Sequence, residues 1–189
     1  MRVVAGEFGG RRLVAPPGLG TRPTSDRVKE ALFSIIGPLD GERVLDVFAG
    51  SGGLAIEALS RGAATATCVD DDRGAVEAMR ANARVLGISD RLTVVRRGWR
   101  GALAAAAEAG DVFDLVLADP PYDLLPVIVD EMGEAIARVI APGAVVVIEH
   151  ARGAIMGPGG VPGIDGERDT TRRYGDSEIT VIWTPGEGT

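Results

Sequence analysis

At 189 residues and 46% hydrophobic composition, the chain is long enough for one well-buried core and too short for two ordinary domains. Its net charge of −7 argues against a protein that coats nucleic-acid phosphates with a general positive field. The one cysteine, Cys68, leaves no disulfide framework and no thiolate zinc site, and no signal-type opening or spanning apolar run occurs, so a cytoplasmic protein with no metal and no membrane segment is expected. The charge is unevenly placed. Residues 1–30 carry Arg2, Arg11, Arg12, Arg22, Arg27 and Lys29 against Glu7, Asp26 and Glu30, a basic arm ahead of an acidic remainder. Nineteen of the twenty basic residues are Arg, a skew that GC-rich codons produce as readily as selection for phosphate contacts.

In chain order, two short extended pieces, 2–5 and 11–15, lie on either side of Gly9-Gly10. Thr24-Ser25-Asp26 then starts a helix, with Val28, Ala31, Leu32, Ile35 and Ile36 at helical spacing and a stop at Gly37-Pro38. From Arg43 onward strands and helices alternate: strand 44–48, helix 55–60, strand 66–69, helix 75–86, strand 92–95, helix 102–109, strand 113–118, helix 127–140 and strand 144–148. That alternation predicts an α/β fold, a mostly parallel sheet with helices on both faces. The Gly-rich residues 153–166 read as a mobile loop, and 179–183 as a last, antiparallel strand. In such a sheet ligands bind at the carboxyl ends of the strands.

Two constellations fall there. The first is Asp46-Val47-Phe48-Ala49-Gly50-Ser51-Gly52-Gly53, between a strand and a helix. Pyrophosphate needs positive potential at such a turn, whereas Asp46 brings a carboxylate and the loop contains no Lys or Arg. S-adenosylmethionine inverts the requirement, because it carries a sulfonium and an ammonium. The glycines Gly50 and Gly52 would let the backbone approach the ligand, with Phe48 and Ser51 beside them in the cofactor loop. Asp70, with Asp71 and Asp72 behind it, follows the second strand and is placed to accept hydrogen bonds from ribose hydroxyls. Strand alternation allows one or two of the three to face the cofactor, and the others read as exposed or helix-capping.

The second is Asp119-Pro120-Pro121-Tyr122. Consecutive prolines cannot continue a central strand or a helix, so they form a stiff loop presenting an acid, a carbonyl and an aromatic ring together. Methylation of an aromatic amine needs that set. Asp119 and the Pro120 carbonyl can hold the two amine hydrogens while Tyr122 stacks on the base. Carbon-5 pyrimidine chemistry would need a nucleophilic cysteine, and Cys68 lies inside a strand. DNA adenine-N6 or cytosine-N4 methylation, protein glutamine methylation and a nicotinamide- or nucleotide-binding domain without methyl transfer stay open on these residues.

The set resembles the RsmD family of small bacterial methyltransferases, which modify N2 of a guanine in 16S ribosomal RNA. It is carried by Arg2 to Gly6, Gly10 to Leu13, the particular segment Arg22 to Phe33, Asp46 to Gly52, Glu57 to Ala63, Asp119 to Tyr122 and Tyr174-Gly175-Asp176. The resemblance implies a Rossmann-like class I methyltransferase: a basic extension or hairpin at residues 1–23, then one methyltransferase domain at 24–189. It implies Thr24 and Arg27 near the methionine end of the cofactor and Arg2, Arg11, Arg12 and Arg22 against RNA. The partner it implies is 16S ribosomal RNA or an assembling small subunit, met by a monomer. In place of the family's usual polar residue after the third strand stands Arg97-Gly98-Trp99-Arg100; adenine would bond to the Gly98 backbone and contact Trp99, or Trp99 is an ordinary core or surface residue.

Overall fold

The structure, a computed structural model, describes residues 1–16, 25–154 and 161–186. The chain divides into two compact units, residues 1–99 and 100–189.

In the first unit the amino-terminal segment turns back on itself: Val3 N donates to Arg11 O (2.9 Å), Gly10 N to Val3 O (2.9 Å) and Leu13 N to Met1 O (3.1 Å). Val3, Phe8 and Leu13 are buried while Arg11 and Arg12 point to solvent, so an apolar residue at every fifth position anchors a basic turn. Helix α1 (Asp26–Ile36) starts where Ser25 Oγ accepts from Val28 N at 3.3 Å, and it buries Leu32 and Phe33. Strands β1 (Arg43–Val47), β2 (Thr65–Asp70) and β3 (Leu92–Arg96) are joined through α2 (Gly53–Ser60) and α3 (Arg73–Leu86). All pairing is parallel in the order β3-β2-β1, with Asp46 beside Cys68 and Cys68 beside Val94. Crossover helices impose that parallelism and bury both strand faces. Helix α3 begins on an Asp72 cap, Oδ1 accepting from Ala75 N at 2.7 Å, and stops at left-handed Gly87.

Helix α4 (Trp99–Ala109) leads into the second unit, which holds β4 (Phe113–Ala118), α5 (Leu125–Ala137), β5 (Ile140–Ala151), β6 (Arg168–Tyr174) and β7 (Ser177–Trp183). Strand β4 pairs parallel with β5; β5 with β7 and β7 with β6 are antiparallel. The structure departs from the sequence expectations in three places. The helix predicted over 127–140 ends at Ala137, and β5 starts at Ile140 rather than at 144, because the strand runs through a register break around Pro142-Gly143, where Gly143 has φ 76°. Strand β6 has no counterpart among the predicted elements: its sequence RDTTRRY has no apolar alternation, and it forms because it closes a hairpin through Gly175 (φ 65°) onto apolar β7. Of the predicted mobile loop, residues 161–164 are packed, with Val161 and Ile164 buried. A Cβ at Gly133 of α5 would lie 1.8 Å from Pro162 O, so the glycine is what lets this chain cross the helix. Residues 155–160 lie outside the described residues.

Candidate active site

In the first unit, β1 delivers Asp46 into the interior, where it is 2% exposed and its Oδ2 accepts from Ala55 N at 3.1 Å. Burial pushes its carboxyl up to about 7, the nearby Asp70 adds to the rise, and the Ala55 bond opposes it. The chain then leaves the strand through a left-handed residue, Phe48 (φ 63°), followed by Gly50 (φ 55°) and Gly52 (φ 76°), the N-cap of α2. A bulky residue held there is strained, and such strain collects where a loop is shaped for a ligand. At Gly50 a side chain would meet nothing, whereas at Gly52 it would press on Met79 at 3.2 Å. Gly50 thus borders open space and Gly52 serves packing.

Asp70 ends β2 and grips this loop: Oδ2 accepts from Gly50 N at 2.8 Å and Oδ1 from Asp72 N at 2.9 Å. Burial raises its pKa and the two backbone bonds pull it back. A carboxylate offers about four acceptor positions, so capacity remains for hydroxyls. Asp71, the other acid read as cofactor-facing, is exposed, and Asp72 caps α3. Ser51 is buried, and its carbonyl accepts from Asn82 Nδ2 at 3.0 Å. Gly98 is exposed, and Trp99 is 6% exposed at the head of α4. The site is therefore acidic at Asp46 and Asp70, with glycine backbone between them and no cation in residues 46–53. That donor set fits a cationic nucleoside ligand such as S-adenosylmethionine and opposes a pyrophosphate.

Among the arm residues, Arg2 Nε pairs with Asp26 Oδ2 at 2.6 Å, Arg11 and Arg12 are exposed, and Arg27 is exposed on α1. Arg22 and Thr24 lie outside the described residues. Sequence reasoning missed what fastens the arm. Glu57, wholly buried on α2, accepts from Val4 N (2.7 Å), Ala5 N (3.0 Å) and Arg61 Nε (2.8 Å), and Lys29 Nζ lies 3.7 Å away while also donating to Arg2 O. Burial holds the Lys29 pKa down against the upward pull of Glu57. Asn82 reaches back to Val14 through both its amide atoms, at 2.7 and 3.0 Å. Two signals were present. Lys29 is the single lysine of the chain, and Asn82 sits on the apolar stripe of α3 with Ala75 and Met79.

In the second unit β4 ends at Ala118 and the chain enters Asp119-Pro120-Pro121-Tyr122 with trans peptide bonds throughout. Pro121 O accepts from Leu124 N (2.9 Å) and Leu125 N (3.2 Å), which starts α5. The Pro120 carbonyl has no partner among the described residues, so it keeps its acceptor capacity. Pro120 is buried, Asp119 is half-buried, and Tyr122 is 42% exposed with its hydroxyl 3.4 Å from Glu149 Oε1. An acid, a carbonyl without a partner among the described residues and an exposed aromatic ring stand within four residues of one loop.

The fold and these residues define a Rossmann-like methyltransferase of the α/β class. A solved Escherichia coli protein, yhhF, provisionally assigned as a methyltransferase, superposes with a TM-score of 0.79 at 28% identity, covering 99% of both chains. The chain belongs to the family described as conserved hypothetical protein 95, the RsmD family, whose profile matches residues 1–183. It is 47% identical over 123 residues to Bacillus subtilis YlbH, provisionally named an rRNA methyltransferase, covering 65% of this chain and 67% of that one. It is 37% identical, again over 123 residues, to ribosomal RNA small subunit methyltransferase D of Escherichia coli, covering 65% of this chain and 60% of that protein.

Proposed function

We propose that the chain is an S-adenosylmethionine-dependent methyltransferase that modifies the exocyclic N2 amine of a guanine in 16S ribosomal RNA. The observation that carries the reading is the likeness, at 37% and 47% identity, to proteins named for rRNA methylation. The acidic, glycine-lined first unit and the prolyl loop of the second agree with it in chemistry.

Bound S-adenosylmethionine supplies a methyl group already activated on sulfur, so no metal is required. The work left to the protein is orientation. Asp46 and Asp70 hold the positive and hydroxyl-bearing parts of the cofactor, while Gly50 leaves the backbone accessible. The guanine amine is a poor nucleophile because its lone pair is conjugated with the ring. Asp119 and the Pro120 carbonyl accept its two hydrogens and so fix the direction of its lone pair, and Tyr122 fixes the plane of the base. Once methylated, the nitrogen is strongly acidic and passes its proton to solvent after the transfer. The basic turn at Arg11 and Arg12 contacts phosphates.

The test is incubation with labelled cofactor and, separately, small ribosomal subunits, naked 16S RNA, DNA and protein, followed by mapping of the label. Label on guanine N2 of the ribosomal RNA is expected. Label confined to DNA or protein would overturn the substrate, and a thermal shift with NAD but not with S-adenosylmethionine would overturn the cofactor.

A further inference from the structure

The Tyr122 ring is the most exposed aromatic among the described residues, at 42%, so packing alone does not set its orientation. Two side-chain torsions are free to turn. Its far end is engaged by two groups: the hydroxyl donates to Glu149 Oε1 at 3.4 Å and also meets the Ser177 side chain. Glu149 lies near the end of β5, half-buried, opposite Ile179 in the antiparallel register, and Ala151 on the same strand face is opposite Ser177. Ser177 is hydrogen-bonded in turn to Tyr174 O at 3.1 Å. The hydroxyls of Ser177 and Tyr122 both draw the Glu149 carboxyl down against the rise caused by burial. The next residue, His150, is hydrogen-bonded elsewhere, with Nε2 2.9 Å from Thr180 Oγ1 and Nδ1 3.0 Å from Ala151 O. The other charge acting on Tyr122 is Asp119, in its own loop.

We infer that Glu149 is a positioning residue: it anchors the Tyr122 hydroxyl so that the ring offers one fixed plane to the target base. This rests on the reading of Tyr122 as the stacking residue. A half-buried carboxylate on a paired strand is a rigid anchor, whereas the loop that carries Tyr122 is held mainly by its prolines. Ordering the ring before the base arrives removes entropy that would otherwise be lost during binding and keeps the amine aligned.

Two measurements test it, one independent of catalysis. The chain has two tyrosines, so in a Tyr174→Phe background the carbon-13 signal of labelled tyrosine reports Tyr122 alone. Glu149→Gln should lower the pKa of that phenol, because a neighbouring negative charge is removed. In methyl-transfer assays Tyr122→Phe and Glu149→Ala should each lower kcat about tenfold with cofactor affinity unchanged, and Glu149→Gln, whose amide oxygen still accepts the phenol hydrogen, should recover most of the loss. The double variant Tyr122→Phe/Glu149→Ala should be no slower than the slower single one. Additive losses would mean that Glu149 acts apart from Tyr122, on the base itself for example, and would overturn the inference; so would a phenol titration indifferent to Glu149→Gln. A wild-type protein that transfers no methyl group to RNA while its phenol still answers to Glu149 would sink the function reading and leave the tether standing.

Discussion

Asp46 is a carboxyl held near neutrality by its surroundings, at about 7 against an ordinary 3.8. A folded-state pKa above the unfolded one means that the native chain keeps a proton the unfolded chain has released, so this group weakens the fold as pH climbs through that window and costs nothing below it. A cationic ligand favours the ionised form. Below pH 7, binding must therefore expel the proton, and affinity for S-adenosylmethionine should rise by up to about tenfold per pH unit before levelling off above 7. Asp46→Asn should flatten that slope. Calorimetric titrations from acid to mildly alkaline pH would decide, and a pH-independent affinity would disprove the linkage. Asp119 has a different task. If it orients the amine rather than removing a proton, Asp119→Ala should slow methylation by roughly a hundred- to a thousandfold, comparable with removal of one preorganised hydrogen-bond partner, while Asp119→Asn keeps intermediate activity. An Asn variant as slow as the Ala variant, with cofactor binding intact, would favour general-base catalysis instead.

At the scale of elements, two joints matter most. Helix α5 admits the crossing chain because Gly133 has no side chain, and the obstacle a methyl group would meet is the backbone oxygen of Pro162, which cannot swing away. Alanine usually favours a helix over glycine by about 1 kcal/mol. Here the clash should reverse the sign, and Gly133→Ala should destabilise the chain by about 1–3 kcal/mol in denaturant melts; a more stable variant would contradict the packing. The amino-terminal turn is the other joint. Glu57, Ser60 and Asn82 seat its backbone while Arg11 and Arg12 face outward, so the arm is a fixed basic surface built on apolar anchors. Replacing both arginines by alanine should weaken RNA binding, reduce the salt slope by about one unit for each phosphate no longer neutralised, and leave cofactor affinity nearly unchanged. Unaltered RNA affinity in filter binding across a salt series would remove the turn from recognition.

For the whole molecule, the net charge of −7 leaves RNA attraction to local features, because an acidic surface repels phosphates at long range and more strongly at low salt. Ligand binding should be visible at this scale as well: S-adenosylmethionine at a hundredfold excess over its dissociation constant stabilises a folded chain by about 2.7 kcal/mol, which a thermal shift would register. The sequence by itself determined the alternating α/β plan and the strand-end locations of Asp46, Asp70 and Asp119, since these follow from local periodicity and turn chemistry, and its short motifs carried the resemblance to the family. Only tertiary structure decided the rest. Strand β6 has no apolar pattern of its own and exists by pairing with β7; Lys29, Glu57 and Asn82 look like ordinary helix residues until distant backbone hydrogen bonds fall on them; residues 161–164 look like free loop until Gly133 opens a seat. Tyr122 and Glu149 are 27 positions apart, and nothing local in either segment announces the other. Pairing, burial and polar satisfaction across such separations depend on where the backbone returns in space, and a linear pattern does not carry that information.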